Sequence, residues 1–165
     1  MKKARILLCS LLLTTLGALA QSEEDVPVYV IDSVLASPAL MENLAPDQIG
    51  LITIAHGKKA VLKYGSQAAN GVVYVETKPF ARKRVRRLLS AAAPAYDSLL
   101  QRYGSDSTFQ YIVNDVPITP TDETRLMTLD QRTFVSLEII SPKVLEEIYH
   151  IKNRQAGVRI VSTEK

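Results

Sequence analysis

YGSQAANGVVYVETK, Tyr64 to Lys78, decides the fold. Tyr64-Gly65 reads as a helix end, because glycine accepts the left-handed backbone that lets a helix stop within one residue. Asn70-Gly71 is a turn signal of the same kind. Gly71 to Thr77 then alternates, with Val73 and Val75 on one face of a strand and Val72, Tyr74 and Glu76 on the other. The stretch therefore encodes helix, tight turn and strand, and the strand returns at once beside its predecessor.

Working outward, Pro27 to Ile31 is a short apolar strand ended by Asp32-Ser33. Ser37 to Leu44 reads as a short helix with Ser37 as N-cap and Pro38 in its first turn. Ile49 to Ala55 is a strand and Lys58 to Tyr64 a short helix. The same order recurs near the C-terminus: Gln110 to Asn114, Phe134 to Ile140, Lys143 to Tyr149 and Gly157 to Thr163. Aligned without gaps, Ile54 falls on Ile139, Lys58 on Lys143 and Tyr64 on Tyr149. One inserted residue then places Gly71 on Gly157, Val72 on Val158, Val75 on Val161 and Thr77 on Thr163. The chain reads as an internal duplication of a strand-helix-strand-helix-strand unit of about 55 residues.

Between the copies, Phe80 to Ala92 and Pro94 to Tyr103 have helical composition, and Pro94 either kinks one helix or starts a second. Leu88, Leu89, Ala92, Ala95, Tyr96, Leu99 and Leu100 recur at three-to-four spacing and predict an apolar face packed on a sheet. The expected fold class is α+β: two tandem β-α-β-α-β units with small mixed sheets, joined by a helical segment. The expected boundaries are 1–20 for a signal peptide, 21–79 for the first unit, 80–108 for the connector and 109–165 for the second unit.

The signal peptide rests on Lys2, Lys3 and Arg5, the apolar run Ile6 to Leu16, and the small-x-small site Ala18-Leu19-Ala20. The whole chain has 165 residues, with 20 Lys+Arg, 17 Asp+Glu and a net charge of +3. Three of the basic residues and none of the acidic ones lie in the leader, so a chain starting at Gln21 is neutral. A basic balance is then no argument for nucleic acid. The one cysteine, Cys9, is inside the leader and too early for a lipoprotein signal. Disulfides, thiol nucleophiles and thiolate metal sites are excluded from the rest. No later apolar stretch approaches the ~18 residues of a spanning helix.

The first half resembles the plug domain of TonB-dependent outer-membrane receptors, in particular the starch-utilisation type of Bacteroidetes. Three blocks carry the resemblance: Pro27-Val28-Tyr29-Val30-Ile31-Asp32-Ser33-Val34; Pro46-Asp47-Gln48-Ile49 leading into Ile52 and Ile54; and Tyr64-Gly65 followed by Asn70-Gly71-Val72-Val73-Tyr74-Val75-Glu76-Thr77-Lys78. The second half resembles the pattern more weakly, through Tyr111-Ile112-Val113-Asn114-Asp115-Val116, Tyr149 and Gly157 to Thr163. It departs at Tyr149-His150 and Ala156-Gly157, and Ser33 replaces a family glycine. No barrel sequence follows. The resemblance implies a plug-like fold in the cell envelope, without a transporter. Tyr64, Gly65, Asn70, Gly71 and Thr77 are its motif residues, and their expected role is structural.

Chemistry is sparse. His56 and His150 lack a partner at metal-ligand spacing. Gly65-Ser66 and Gly104-Ser105 do not form the Gly-x-Ser-x-Gly elbow. Glu146 and Glu147 are adjacent, so a helix splays them about 100° apart. No cofactor, metal or catalytic residue is expected. The marked charge feature is Lys78, Arg82, Lys83, Arg84, Arg86 and Arg87. Its two readings are a face near acidic groups of the same molecule, or a docking surface made by Arg82, Lys83, Arg84, Arg86 and Arg87. The expected function is non-enzymatic protein binding in the periplasm or at the outer membrane. The expected partner is an outer-membrane receptor barrel or a TonB-like protein, with an anionic envelope surface as a further option and nucleic acid excluded. The alternative is a periplasmic small-molecule or glycan binding protein, for which seven tyrosines and no tryptophan offer stacking surface.

Overall fold

The computed structural model describes residues 26–163. The signal-peptide reading of residues 1–20 lies outside them. The first unit runs β1 (Val28–Ile31), β2 (Val34–Ala36), α1 (Pro38–Glu42), β3 (Ile49–Ala55), α2 (Lys58–Tyr64) and β4 (Val72–Thr77). Helices α3 (Lys78–Ala92) and α4 (Pro94–Tyr103) follow. The second unit is β5 (Phe109–Val113), β6 (Val116–Pro117), α5 (Thr124–Met127), β7 (Phe134–Ile140), α6 (Pro142–Tyr149) and β8 (Ala156–Ser162). The α+β reading and its two tandem units hold.

Each unit builds one four-stranded sheet, in the orders β2-β1-β4-β3 and β6-β5-β8-β7. The strands pair the same way in both: β1 with β4 and β5 with β8 in parallel, the other neighbours antiparallel. Both sheets carry a register irregularity at the start of the edge strand, between Ile49 and Leu51 and between Phe134 and Ser136. The short strands β2 and β6 went unread in the sequence because two or three residues carry no measurable alternation. They are held by two-residue hairpin loops, Asp32-Ser33 and Asn114-Asp115, with positive φ at both positions of each. That is the type I′ geometry, which asparagine and glycine adopt at least cost. Ser33, at φ 72°, has neither advantage. Ser33→Gly is expected to raise stability by about 0.5–1 kcal/mol in urea unfolding; a destabilised variant would contradict the turn assignment.

The strand pairing corrects the alignment of the two copies. Ala55 pairs with Val72 and Ile54 with Val73, while Ile140 pairs with Gly157 and Ile139 with Val158. The gapless alignment therefore continues to the end and no residue is inserted. Val72 corresponds to Gly157, Val75 to Ile160, Thr77 to Ser162 and Gly71 to Ala156. Identity misled because the two glycines do different work. Gly71 turns the chain at φ 98°. Gly157 has no such φ; it makes room for Ile140 and Leu145. Gly65 ends α2 at positive φ but extended ψ (81°, −171°), whereas in the second copy His150 ends α6 in the left-handed αL conformation (φ 58°, ψ 29°).

Pro94 starts a new helix, since Ala93 is extended (φ −141°, ψ 104°). The turn at Ala93 rotates the expected apolar face: Ala92 and Ala95 are exposed. Val85, Leu89 and Tyr96 are buried with Phe109, Val113, Val158 and Ile160, and Leu88, Leu99 and Leu100 pack beside them. The main core thus lies between α3–α4 and the second sheet. A smaller cluster, Val30, Ala60, Ala68 and Val72, joins α2 to the opposite type of face on the first sheet.

Candidate functional site

The motif residues assemble a joint. Tyr64 ends α2 and sits beside Tyr74, ring centroids 6.2 Å apart, with Lys63 Nζ 5.0 Å from the Tyr64 ring. The Tyr74 hydroxyl supports the Tyr64 phenolate and holds its pKa below the usual tyrosine value. Gly65 (φ 81°) terminates the helix, its N–H donating to the Val61 carbonyl at 2.8 Å. Asn70 is exposed in the turn, and Gly71 is buried beneath the His56 ring. His56 lies over Gly71 and is itself exposed. Thr77 makes three hydrogen bonds, two to Asp32 and one with Phe80. Its N–H donates to Asp32 Oδ1 at 2.7 Å and its hydroxyl to Asp32 Oδ2 at 2.8 Å, while Oγ1 accepts from Phe80 N at 3.4 Å as the N-cap of α3. The second copy keeps the clamp as Ser162 N–H donating to Asn114 Oδ1 at 2.8 Å.

The basic run on α3 is divided by the fold. Arg82 pairs with both oxygens of Glu123 at 2.5 Å. Arg84 Nε donates to both Glu76 oxygens at 2.9 Å, and its other nitrogens donate to the Leu129 and Met127 carbonyls at 2.6 and 2.5 Å. Arg86 pairs with Asp106 at 2.6 Å. Lys83 and Arg87 are exposed, with no ion pair among the described residues. Three of the five expected docking cations thus hold the molecule together. Sequence spacing could not show this, because Glu123, Asp106 and the carbonyls of α5 are 20 to 45 residues away along the chain.

A cleft of about 530 Å³ opens between α3, the segment before β5 and α5, lined by Arg82, Arg86, Asp106, Tyr111, Glu123 and Arg154 among others. Its polar groups form a chain. Tyr111 O–H donates to Asp106 Oδ2 at 2.8 Å, which leaves Tyr96 O–H to donate to Tyr111 at 2.6 Å. Burial pushes Tyr96 up to about 12, and raises Tyr111 as well, because the phenolate loses its water. A pKa raised in the fold means stability that is complete below about 10, the unfolded tyrosine value, and is lost as pH climbs toward about 12. Alkaline titration is expected to show Tyr96 and Tyr111 ionising only together with loss of near-ultraviolet circular dichroism; ionisation of every tyrosine with the fold intact would refute it. No buried side-chain polar atom is left unbonded, and no group of His, Cys, Asp or Glu suited to a metal occurs, among the described residues.

The long edge strands are β3 in the first sheet and β7 in the second. On β3, Ile52 is 48% and Ile54 60% exposed. No described helix is long and apolar enough to cross a membrane. Comparison with protein-family models, curated proteins and solved structures finds no match to this chain.

Proposed function

We propose that the chain is a non-enzymatic, exported envelope protein that acts by binding another protein in the periplasm or at the outer membrane. The observation that carries this reading is the seven-residue edge strand β3, whose Ile52 and Ile54 are exposed. An uncovered edge offers backbone N–H and C=O groups to a partner strand, and exposed apolar side chains beside it add burial on pairing. The leader-like N-terminus and the three plug-like sequence blocks support the location and the partner class: an outer-membrane receptor barrel or a TonB-like protein.

The 530 Å³ cleft favours the second reading, a small-molecule or glycan binding protein. It ranks lower because the cleft-lining groups Arg86, Asp106 and Tyr111 are already hydrogen-bonded to one another and to Tyr96. The test is cross-linking in intact cells from photoreactive residues placed at Thr53 and Lys59. Recovery of a barrel or TonB-type protein from Thr53 alone supports the first reading. Only uncross-linked chain, together with a thermal shift on glycan addition, replaces it with the second.

A further inference from the structure

The fold uses some of the α3 cations and leaves others over. Arg82, Arg84 and Arg86 each hold a carboxylate. Lys83 and Arg87 are exposed and stand one turn apart on the same side of α3, with no ion pair among the described residues. Like charges at that spacing destabilise a helix, and no carboxylate of the fold offsets this pair.

A groove of about 520 Å³ opens beside Arg87. Arg87, Leu88 and Ala91 of α3 line one wall, Asp130 and Arg132 of the loop before β7 line the other, and Arg84 lies within it. Both walls are fixed. Arg84 spans them, donating from α3 to the Leu129 and Met127 carbonyls. Asp130 Oδ1 accepts from the backbone N–H of Arg132 at 2.7 Å and of Thr133 at 2.9 Å, which sets the loop. The Thr133 and Arg132 N–H groups hold the Asp130 carboxyl below its ordinary pKa. Its other oxygen is 3.5 Å from Arg132 Nε, and the Arg132 side chain is 91% exposed. The groove thus presents Arg87 and Arg132 to solvent beside one carboxylate that is already engaged. This charge is not a property of the repeat: Arg132 stands two residues before β7, and two residues before β3 stands Asp47.

We infer that the groove binds an acidic segment of the partner protein, with its carboxylates on Arg87, Arg132 and Lys83 and an aliphatic side chain against Leu88 and Ala91. This deepens the protein-binding reading and rests on it. A guanidinium presents paired N–H donors that match the two oxygens of a carboxylate. Cations on two facing walls suit charges spaced along a chain, and half-buried Leu88 with exposed Ala91 offers an apolar contact that a free phosphate does not use.

The probe is the capped peptide Glu-Glu-Leu-Glu-Glu-Leu, titrated into the purified chain while backbone amide signals are followed by NMR. Saturable shifts are expected at residues 83–91 and 130–133, weakening as salt is raised. The same peptide with Gln at every Glu is expected to bind about tenfold more weakly or worse. Arg87→Glu and Arg132→Glu are each expected to weaken the acidic peptide about tenfold or more, because each turns a charge-assisted bond into a repulsion. Arg102→Glu, at an exposed arginine of α4 with no ion pair among the described residues, is expected to leave it unchanged. The three sites are exposed, so melting curves should match the parent and separate lost binding from lost folding. Equal binding of the Gln peptide overturns the inference, as does equal loss from Arg102→Glu. So does tighter binding of inorganic phosphate or of phosphatidylglycerol vesicles at the same residues, which would make the groove a phosphate site. A failed peptide beside Thr53 cross-links that recover a partner removes the acidic segment and leaves the protein-binding reading standing. Peptide binding that follows these substitutions, beside failed cross-links, supports the groove and removes β3 as the contact.

Discussion

Arg84→Ala lowers unfolding stability by about 2–3 kcal/mol, read as a lower urea midpoint at unchanged slope. One guanidinium ties three places together: the Glu76 carboxylate on β4 and the carbonyls of Met127 and Leu129 at the end of α5. Both partners are mostly shielded, with Arg84 25% and Glu76 22% exposed. Removal strips the carboxylate and two carbonyls of their donors while water reaches them incompletely. Hydrogen bonds to charged groups contribute about 1.5–3 kcal/mol each, and the residual exposure returns part of the loss. Arg84→Lys should recover less than half, because an ammonium cannot present the planar fork that reaches three acceptors at once. Lys83→Ala, on the exposed side of the same helix, should stay within about 0.5 kcal/mol. Equal small effects at both positions would mean that Arg84 does not join the units in solution.

Gly157→Ala is expected to cost about 3 kcal/mol, the upper end for overpacking. An added Cβ would overlap Ile140 Cγ1 and lie 2.8 Å from Ile140 Cδ1 and from Leu145 Cδ2. Leu145 is fully buried and Ile140 8% exposed, so neither side chain can swing into water. Gly65→Ala is the informative comparison. Nothing lies within 4 Å of its added Cβ, so only the φ of 81° is penalised, at about 1–2 kcal/mol. Gly157→Ala with Ile140→Val should recover part of the loss, since the two changes act on one space and are not additive. A harmless Gly157→Ala would contradict the packing of α6 on β8 and reopen the insertion between the copies.

The two glycines show where reading a sequence stops. Matching letters aligned Gly71 with Gly157, yet one is required by backbone conformation and the other by a neighbour's volume. Alternation, turn pairs and helix ends are local, and they located the six longer strands and the helices except α5, whose four residues are too few to show a period. Tyr64-Gly65 and Asn70-Gly71 were legible for that reason. The hairpin strands β2 and β6 were too short to show a period, and Ser33 at positive φ carried no composition signal.

The candidate surface divides in the same way. Sequence showed six cations in ten residues but not their partners, because charge pairing depends on which distant carboxylates the fold brings near. Arg82, Arg84 and Arg86 found theirs in α5, β4 and the segment before β5. By itself the sequence determined a duplicated α+β chain, since this depends on local periodicity and local turn chemistry. Only the tertiary structure decided which copy receives the helices between them. Packing α3 and α4 on the second sheet buries Val113, Val158 and Ile160 together, whereas on the twin face of the first sheet Val75 is buried but Ile52 and Ile54 stay exposed, and that asymmetry is invisible in two nearly equivalent strand patterns.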